Sequence, residues 1–272
     1  MQETYILSLI VAETLFLLVI TVILFYSLHK IYVLKKHEES LISSQTRQRD
    51  FIPVLVHELR APLSVIQGAS DLLLKETQNL SAEQIQTLLT QVKTSSTSML
   101  KMVGDILDVS KMDIGKFEVS RVYANINNLL KEECGYFDSM AKVKKISLSC
   151  KLDETIANSS FDPERIKQVL NNLISNALKF VPEGGSIVVS SQKTADFAQI
   201  DVADSGEGIS DADKKLLFQK FVQTQSHNHT KERGTGLGLY ISKGIVEAHG
   251  GRIWVEDNKP NGAKFVFTLP LA

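Results

Sequence analysis

Two segments of this chain repeat an apolar residue every seven positions, and nothing else in the sequence restricts its fold so tightly. In the first, Ile52, Leu59, Ile66 and Leu73 mark the repeat, with Leu55, Val56, Leu63 and Ala69 widening the seam. In the second, Ile85, Val92, Met99 and Ile106 run beside Leu88, Ser95, Met102 and Val109. A seven-residue repeat keeps one stripe of a helix turned towards a partner helix, so both segments read as coiled-coil-like helices. Between them Lys75 to Leu80 is polar, and Ser81-Ala-Glu-Gln84 has the form of a capping box that starts the second helix. Gly115 is placed to stop that helix. Two helices of this length cannot bury their seams alone. Two hairpins pairing as a four-helix bundle can, so a homodimer is expected.

The first helix carries Val56-His57-Glu58-Leu59-Arg60-Ala61-Pro62-Leu63. His57 falls off the seam and should face water. An imidazole next to a carboxylate can stay basic and shed its proton as it attacks an electrophile. Taken alone, the same pattern is an ordinary surface histidine on a solvated helix. Pro53, one turn earlier, marks a kink or a first-turn position.

At 272 residues the chain is long enough for about two domains. Its net charge of -1 and pI near 6.6 argue against a nucleic-acid partner, which would call for a basic excess. Its two cysteines, Cys134 and Cys150, have no CxxC or His-rich neighbour, which suggests a reducing compartment and neither a disulfide framework nor a zinc site. A structural, partly buried thiol is the expectation for each.

Tyr5 to Leu28 is almost unbroken apolar sequence with one charge, Glu13. About 20 helical residues cross the hydrocarbon, so residues 1–28 read as one N-terminal transmembrane helix in contact with membrane lipid. The acidic start and the absence of a small-residue cleavage pattern distinguish it from a signal peptide. Lys30, Lys35 and Lys36 follow the span, which puts the N-terminus outside a cell membrane and the bulk of the chain in the cytoplasm. Only four residues precede the span, so no extracellular ligand-binding domain is expected. Glu13 is either a protonated carboxyl near the outer interface or a partner contact. Residues 29–47 are polar and charged without Gly or Pro and read as a helical linker towards a hairpin domain at 48–115. A separate inserted module would need about fifty residues, which are not there.

From residue 123 to 272 the pattern mixes short strands and helices. Ile146–Leu152, Ser186–Ser191, Phe197–Ala203, Arg252–Glu256 and Lys264–Leu269 read as strands, and Asn127–Met140, Pro163–Val181, Asp211–Phe221 and Leu237–His249 as helices. Short turns between adjacent strands indicate an α/β sandwich rather than a doubly wound sheet. Asp162 is a good N-cap and Pro163 suits the first helical position. On that helix Ile166, Val169, Leu170, Leu173, Ile174 and Ala177 form a buried face, while Gln168, Asn172, Asn176 and Lys179 make a polar stripe. Two spaced asparagines hint at a polar site: an amide oxygen is a hard ligand suited to Mg²⁺, and a lysine can neutralise phosphate charge.

Asp204-Ser-Gly206-Glu-Gly208 ends a strand in a glycine turn, where a carboxylate can accept from an exocyclic amine; alone, such a motif is often only a turn. Arg233-Gly234-Thr235-Gly236-Leu237-Gly238-Leu239 opens a helix with alternating glycines that expose backbone N–H groups to a phosphate. It is neither a Walker loop nor a dinucleotide fingerprint, since no GK[ST] ending follows and no strand directly precedes it. Between the two glycine motifs, Phe218-Gln-Lys-Phe221 leads into a polar run, Gln223 to Glu232, that reads as a lid. His227 and His229 within it read as exposed loop residues rather than metal ligands.

The His57 stretch, Asn172, Asn176, Asp204-Ser-Gly206-Glu-Gly208 and Arg233–Leu239, in that order, resemble the sensor histidine kinase family of two-component signalling. The resemblance runs from about Gln48 to the C-terminus. It implies a hairpin that dimerises as a four-helix bundle, followed by an ATP-binding α/β sandwich of the GHKL or Bergerat type. His57 would be the phosphorylated residue and Glu58 its base or orienter, with ATP and Mg²⁺ as cofactors and Asn176 as the direct metal ligand. Asp204 would meet the adenine amino group and Phe180 would flank the base. The implied ATP-binding set is Asn172, Asn176, Lys179, Phe180, Asp204, Gly206, Gly208, Phe218, Phe221, Arg233, Gly234, Thr235, Gly236, Leu237, Gly238 and Leu239. The phosphoryl group would pass on to a separate response regulator, since no receiver domain is fused here.

The family usually has Thr or Asn four residues after the histidine, a polar group that orients water. Here Ala61 offers no hydrogen bond, so weak dephosphorylation of the regulator is expected, to be checked with ADP beside Ala61→Thr. The alternatives on the same ATP fold are a serine kinase and an ATP-driven clamp. A non-catalytic membrane scaffold is a third.

Overall fold

The computed structural model describes Lys30, Lys35, residue 53 and residues 55–76, 79–222 and 235–271. The apolar run Tyr5–Leu28, most of the 29–47 linker, Ile52 and the 223–234 segment lie outside the described residues. Among the described residues no helix is long and apolar enough to cross a membrane. The chain divides into two compact units, Met1–Pro53 and Val54–Ala272. In the first, Lys30 and Lys35 are helical and exposed.

Helix α1 covers residues 55–76 and α2 covers Ala82–Asp113. The capping box forms as read: Gln84 N–H donates to Ser81 Oγ at 3.2 Å, and the Gln84 side chain accepts from Ser81 N–H at 2.8 Å. At the other end Gly115 takes φ +66°, and Lys116 N–H closes back onto Lys111 O at 2.9 Å. The seam of α2 is as the heptads predict, with Ile85, Leu88, Val92, Ser95, Met99, Met102, Ile106 and Val109 all buried or half-buried. On α1 it runs through Leu55, Leu59, Pro62, Ile66, Ala69 and Leu73. Val56 and Leu63, read as widening the seam, are instead 47% and 52% exposed. The helix turns about 100° per residue, so both face away from α2 within a single hairpin.

A second layer begins after the hairpin. Strand β1 (Val122–Ala124) pairs antiparallel with β3 (Ser159–Phe161). The main sheet contains β2 (Ser147–Lys151), β4 (Ser186–Thr194), β5 (Phe197–Asp204), β6 (Ile253–Asp257) and β7 (Ala263–Pro270), in the order β2-β4-β5-β7-β6. Only β2 and β4 run parallel; the other neighbours are antiparallel. Helices α3 (Ile126–Val143), α4 (Pro163–Phe180) and α6 (Gly238–Ala248) pack on it as the layer of an α/β sandwich. The short β1 and β3 escape a reading by alternation because each has three residues, and two of β3's are serines. The helix read over Asp211–Phe221 shrinks to α5, Asp211–Lys214, followed by turns.

Burial centres on α4. Ile166, Val169, Leu170, Leu173 and Ile174 are 0% exposed and Ala177 4%. Each larger side chain removed from water contributes roughly 1.5–3 kcal/mol as an upper bound. Asp162 caps α4 by accepting Arg165 N–H at Oδ1, and its Oδ2 takes Ser120 N–H at 2.8 Å. The Asp162 N–H donates to His249 Nε2 at 2.9 Å, while His249 Nδ1 donates to Ile245 O at 2.7 Å. That buried imidazole therefore joins the start of α4 to the end of α6.

Candidate functional site

His57 is solvent-facing, its side chain 78% exposed, with Nδ1 3.9 Å from Glu58 Oε1. Arg60 and Ala61 are exposed beside it. The off-seam position read from the heptads is what places it there.

The second cluster forms where α4, the end of β5 and the start of α6 meet. Asn172 donates from Nδ2 to Ser242 Oγ at 2.9 Å, which joins α4 to α6. Asn176, one turn on, is half-buried and makes no side-chain hydrogen bond among the described residues. Lys179 Nζ lies 5.4 Å from the centre of the Phe180 ring, on the same end of the helix. Asp204 is 6% exposed and uses one oxygen twice: Oδ1 accepts Gly206 N–H at 2.8 Å and Ala263 N–H at 3.2 Å. Oδ2 accepts from no described residue. Burial pushes the Asp204 carboxyl above the usual carboxylate range, opposed by those two N–H donors.

The glycine motif read at the start of α6 does form a helix terminus. Leu237, buried at 1% exposure, is the N-cap residue and supplies no side-chain cap; no acidic residue sits in the first turn. Thr235 Oγ1 accepts Leu237 N–H at 3.4 Å. Among the described residues nothing else accepts from the first N–H groups of α6, which suits them to an external acceptor with the positive end of the helix behind them. A Cβ at Gly238 would land on the Asn172 amide, so only glycine lets α6 approach α4 this closely. Gly236 O accepts Phe221 N–H at 3.1 Å, which ties the end of the Phe218–Phe221 stretch to the glycine loop. Leu239 is half-buried, and Gly206 and Gly208 form the turn after Asp204. Phe218 meets Phe265 edge-on at 6.4 Å and lines a cleft with Lys214, Lys215, Ile253, Trp254 and Val255. Arg233, Gly234, His227 and His229 lie outside the described residues.

Several residues of the site are silent in the sequence. Ser242 has no motif around it. Gly262, at φ +122°, packs against the Asp204 backbone so closely that any side chain would collide with it, and Asn258 Nδ2 donates to Asp204 O at 2.7 Å. Both come from the β6–β7 turn and support Asp204 from behind. Asp108 of α2 is 6% exposed and takes a bidentate pair from Arg165 of α4 at 2.6 and 3.1 Å, with Gln168 Nε2 at 3.2 Å. The Arg165 guanidinium also lies 5.0 Å over the Phe117 ring. Only the polar stripe containing Gln168 pointed towards this cluster, and it gave no partner.

Against known proteins, residues 47–115 match the family described as the His Kinase A (phospho-acceptor) domain. Residues 161–272 match the histidine kinase-, DNA gyrase B- and HSP90-like ATPase family. The chain belongs to the sensor histidine kinases of two-component signalling. Among curated relatives of this chain, the sensor protein EvgS of Escherichia coli (strain K12) is 31% identical over 89% of this chain and 20% of its own length. The sensor protein GacS of Pseudomonas syringae pv. syringae is 35% identical over 86% of this chain and 26% of its own. The chain thus spans about a fifth to a quarter of the length of these relatives. Among solved structures, full-length ShkA in complex with AMPPNP superposes with a TM-score of 0.62 at 27% identity, covering 82% of this chain and 45% of that one.

Proposed function

We propose that this protein is an ATP-dependent protein-histidine kinase that phosphorylates His57 and passes the phosphoryl group to an aspartate of a separate response regulator. The observation that carries this reading is the pairing, in one compact unit, of an exposed His57–Glu58 dyad with a glycine-framed cluster of donors and acceptors around Asn176, Asp204 and the start of α6 that suits a nucleotide. ShkA, related by sequence and fold, is solved with an ATP analogue.

The residues present fit ATP. Asp204 Oδ2 can accept from the adenine amino group, the N–H groups at the start of α6 can meet phosphate, and Gly238 leaves the space a Cβ would fill. Asn176, with its amide uncommitted, would hold Mg²⁺, which supplies charge neutralisation on the phosphates when bound. Glu58 beside Nδ1 favours the imidazole tautomer that leaves the Nε2 lone pair free. The Nε2–phosphorus bond forms as the bond from the γ-phosphorus to its bridging oxygen breaks, and Glu58 holds the Nδ1 proton.

On the same reading, residues 48–115 and 123–272 are the phosphotransfer and ATP-binding domains, and the hairpin is a homodimer. Residues 1–28 cross a cell membrane once, with the catalytic part cytoplasmic; the length of the apolar run and the lysines after it support this. Starting the chain at Lys36 should move it from the membrane fraction to the supernatant.

The kinase reading is tested with γ-labelled ATP and Mg²⁺ on wild type, His57→Gln and Asn176→Ala. Acid-labile, alkali-stable label is expected on wild type and on neither variant. Label that survives His57→Gln would transfer the acceptor role to another residue and favour serine chemistry.

A further inference from the structure

Ser242 is buried in α6, and the other buried residues of that helix, Ile241, Ile245 and Val246, are apolar, as packing on α4 and the sheet requires. A hydroxyl among them costs free energy unless it is bonded, so alanine would serve the packing as well. Its partner is the Asn172 amide, which donates from Nδ2 to Ser242 Oγ at 2.9 Å. The other end of that amide lies against Gly238, one turn earlier on α6: a Cβ there would fall 2.3 Å from Asn172 Oδ1. One side chain of α4 therefore spans the first turn of α6, its NH₂ on Ser242 and its carbonyl oxygen at the start of the helix. Among the described residues that oxygen accepts no hydrogen bond.

We propose that Ser242 is a positioning residue that fixes the Asn172 amide with its carbonyl oxygen at the start of α6, so that Asn172 serves the cation of a metal–nucleotide complex and not the phosphates. This rests on the reading of the site as one for ATP. A free amide can turn about its last bond and present either end. The NH₂ would donate to a phosphate oxygen, whereas the carbonyl would accept from water or meet a cation. With Nδ2 held on the serine oxygen, only the carbonyl is left at the start of the helix. The reverse arrangement would set the NH₂ against the N–H groups and the positive end of α6, which repel it.

Asn172 and Asn176 stand one turn apart on the same face of α4, so their amides are neighbours. Asn176 is uncommitted and would hold Mg²⁺. Asn172 places a second hard oxygen one turn away, suited to Mg²⁺ or to the water around it. The same oxygen facing a bare triphosphate is repelled by it. The contribution of Asn172, and of Ser242 behind it, should therefore exist only when the metal is present. Gly238 belongs to the same device, since any side chain there would displace the amide that Ser242 holds.

The test titrates the full chain with AMPPNP, once with Mg²⁺ and once in EDTA, for wild type, Ser242→Ala, Asn172→Ala and the double variant. Wild type should bind more tightly with the metal. Ser242→Ala should lose about threefold to tenfold in affinity with Mg²⁺, the effect of one hydrogen bond, and nothing in EDTA. Asn172→Ala should show the same split. The double variant should bind no more weakly than Asn172→Ala alone, because a residue that acts through Asn172 then has nothing to position. A loss of equal size with and without the metal would mean that the hydroxyl only supports the fold, and the proposal is overturned. Losses that add in the double variant, or a Ser242→Ala that binds as wild type does, overturn it as well. A wild type that binds AMPPNP equally with and without Mg²⁺ removes this proposal and leaves the ATP reading standing, whereas one that binds none under either condition removes both.

Discussion

Among single side chains, Asp204 shows how the site sets binding against stability. Its carboxyl is buried and its pKa raised, so its favourable contribution to folding is present below the unfolded value of 3.8 and is lost as pH rises through the folded value. At neutral pH the ionised group is a cost to the empty domain, offset in part by the N–H groups of Gly206 and Ala263. Asp204→Asn can keep both N–H bonds at Oδ1 but turns the second oxygen into an NH₂. Loss of that acceptor should weaken nucleotide binding by roughly tenfold to a hundredfold, the effect of one unsatisfied buried bond. The empty variant should melt no lower than wild type, and calorimetric titration beside thermal unfolding reads both; a variant that binds normally removes Asp204 from base recognition. His249 gives the opposite pH dependence. Its pKa is depressed, chiefly by burial, so the unfolded chain takes up a proton below 6.5 that the folded chain refuses. Stability should fall as pH drops from 6.5 to the folded value and level off below it, and His249→Gln should remove about one proton from that slope in urea titrations. Asp204 was legible in the sequence because a motif of four neighbours surrounds it. His249 was not, since its two partners come from Asp162 and its own helix and no local pattern reports a buried imidazole.

Between elements, the contact that matters most joins the hairpin to the nucleotide helix. Asp108 is almost fully buried, its side chain 9% exposed, and Arg165 is 29% exposed. A carboxylate so placed depends on its guanidinium, because removing one partner of a buried pair strands the other charge. Burial also pushes the nearby Asp105 carboxyl up, and the Asp108 charge adds to that shift while Lys101 opposes it. Asp108→Asn, Arg165→Gln and the double variant should therefore show a coupling energy of about 1–3 kcal/mol in chemical unfolding, well above the few tenths typical of unrelated sites. Additive effects would mean that the pair is only adjacent. Element identity was readable where one face repeats over many turns: α2 and α4 were placed to within a residue or two by their apolar spacing and caps. It was unreadable where pairing partners lie far apart, as β1 and β3 do, or where four residues of helix give way to turns, as in α5. The partner of Arg165 lay 57 positions away, which no periodicity reports.

At the scale of the whole molecule, the order of motifs foretold a hairpin followed by an ATP-type sandwich, but not how the sandwich rests on the hairpin. That contact gathers at the end of α2, where Met112 packs over Gly244 and Asp113 takes both Lys220 and the Tyr240 hydroxyl. It leaves another apolar surface uncovered. With the seam between α1 and α2 filled, Leu63 remains 52% exposed, Leu72 50%, Leu100 74%, Val103 45% and Leu107 55%. Monomeric proteins rarely leave so many large side chains on one element pair open to water. A second hairpin completing a four-helix bundle would cover them and make both halves of the seam part of one core. The chain from Lys36 onwards should accordingly sediment as a dimer, and glutamate at Leu63 and Leu100 together should leave a monomer, since four charges per dimer would otherwise have to be buried unpaired. Circular dichroism should show the helices of that monomer weakened more than the sandwich, whose core on α4 is complete within one chain. A dimer that survives both glutamates would place the subunit contact on another surface and leave this one for a different partner.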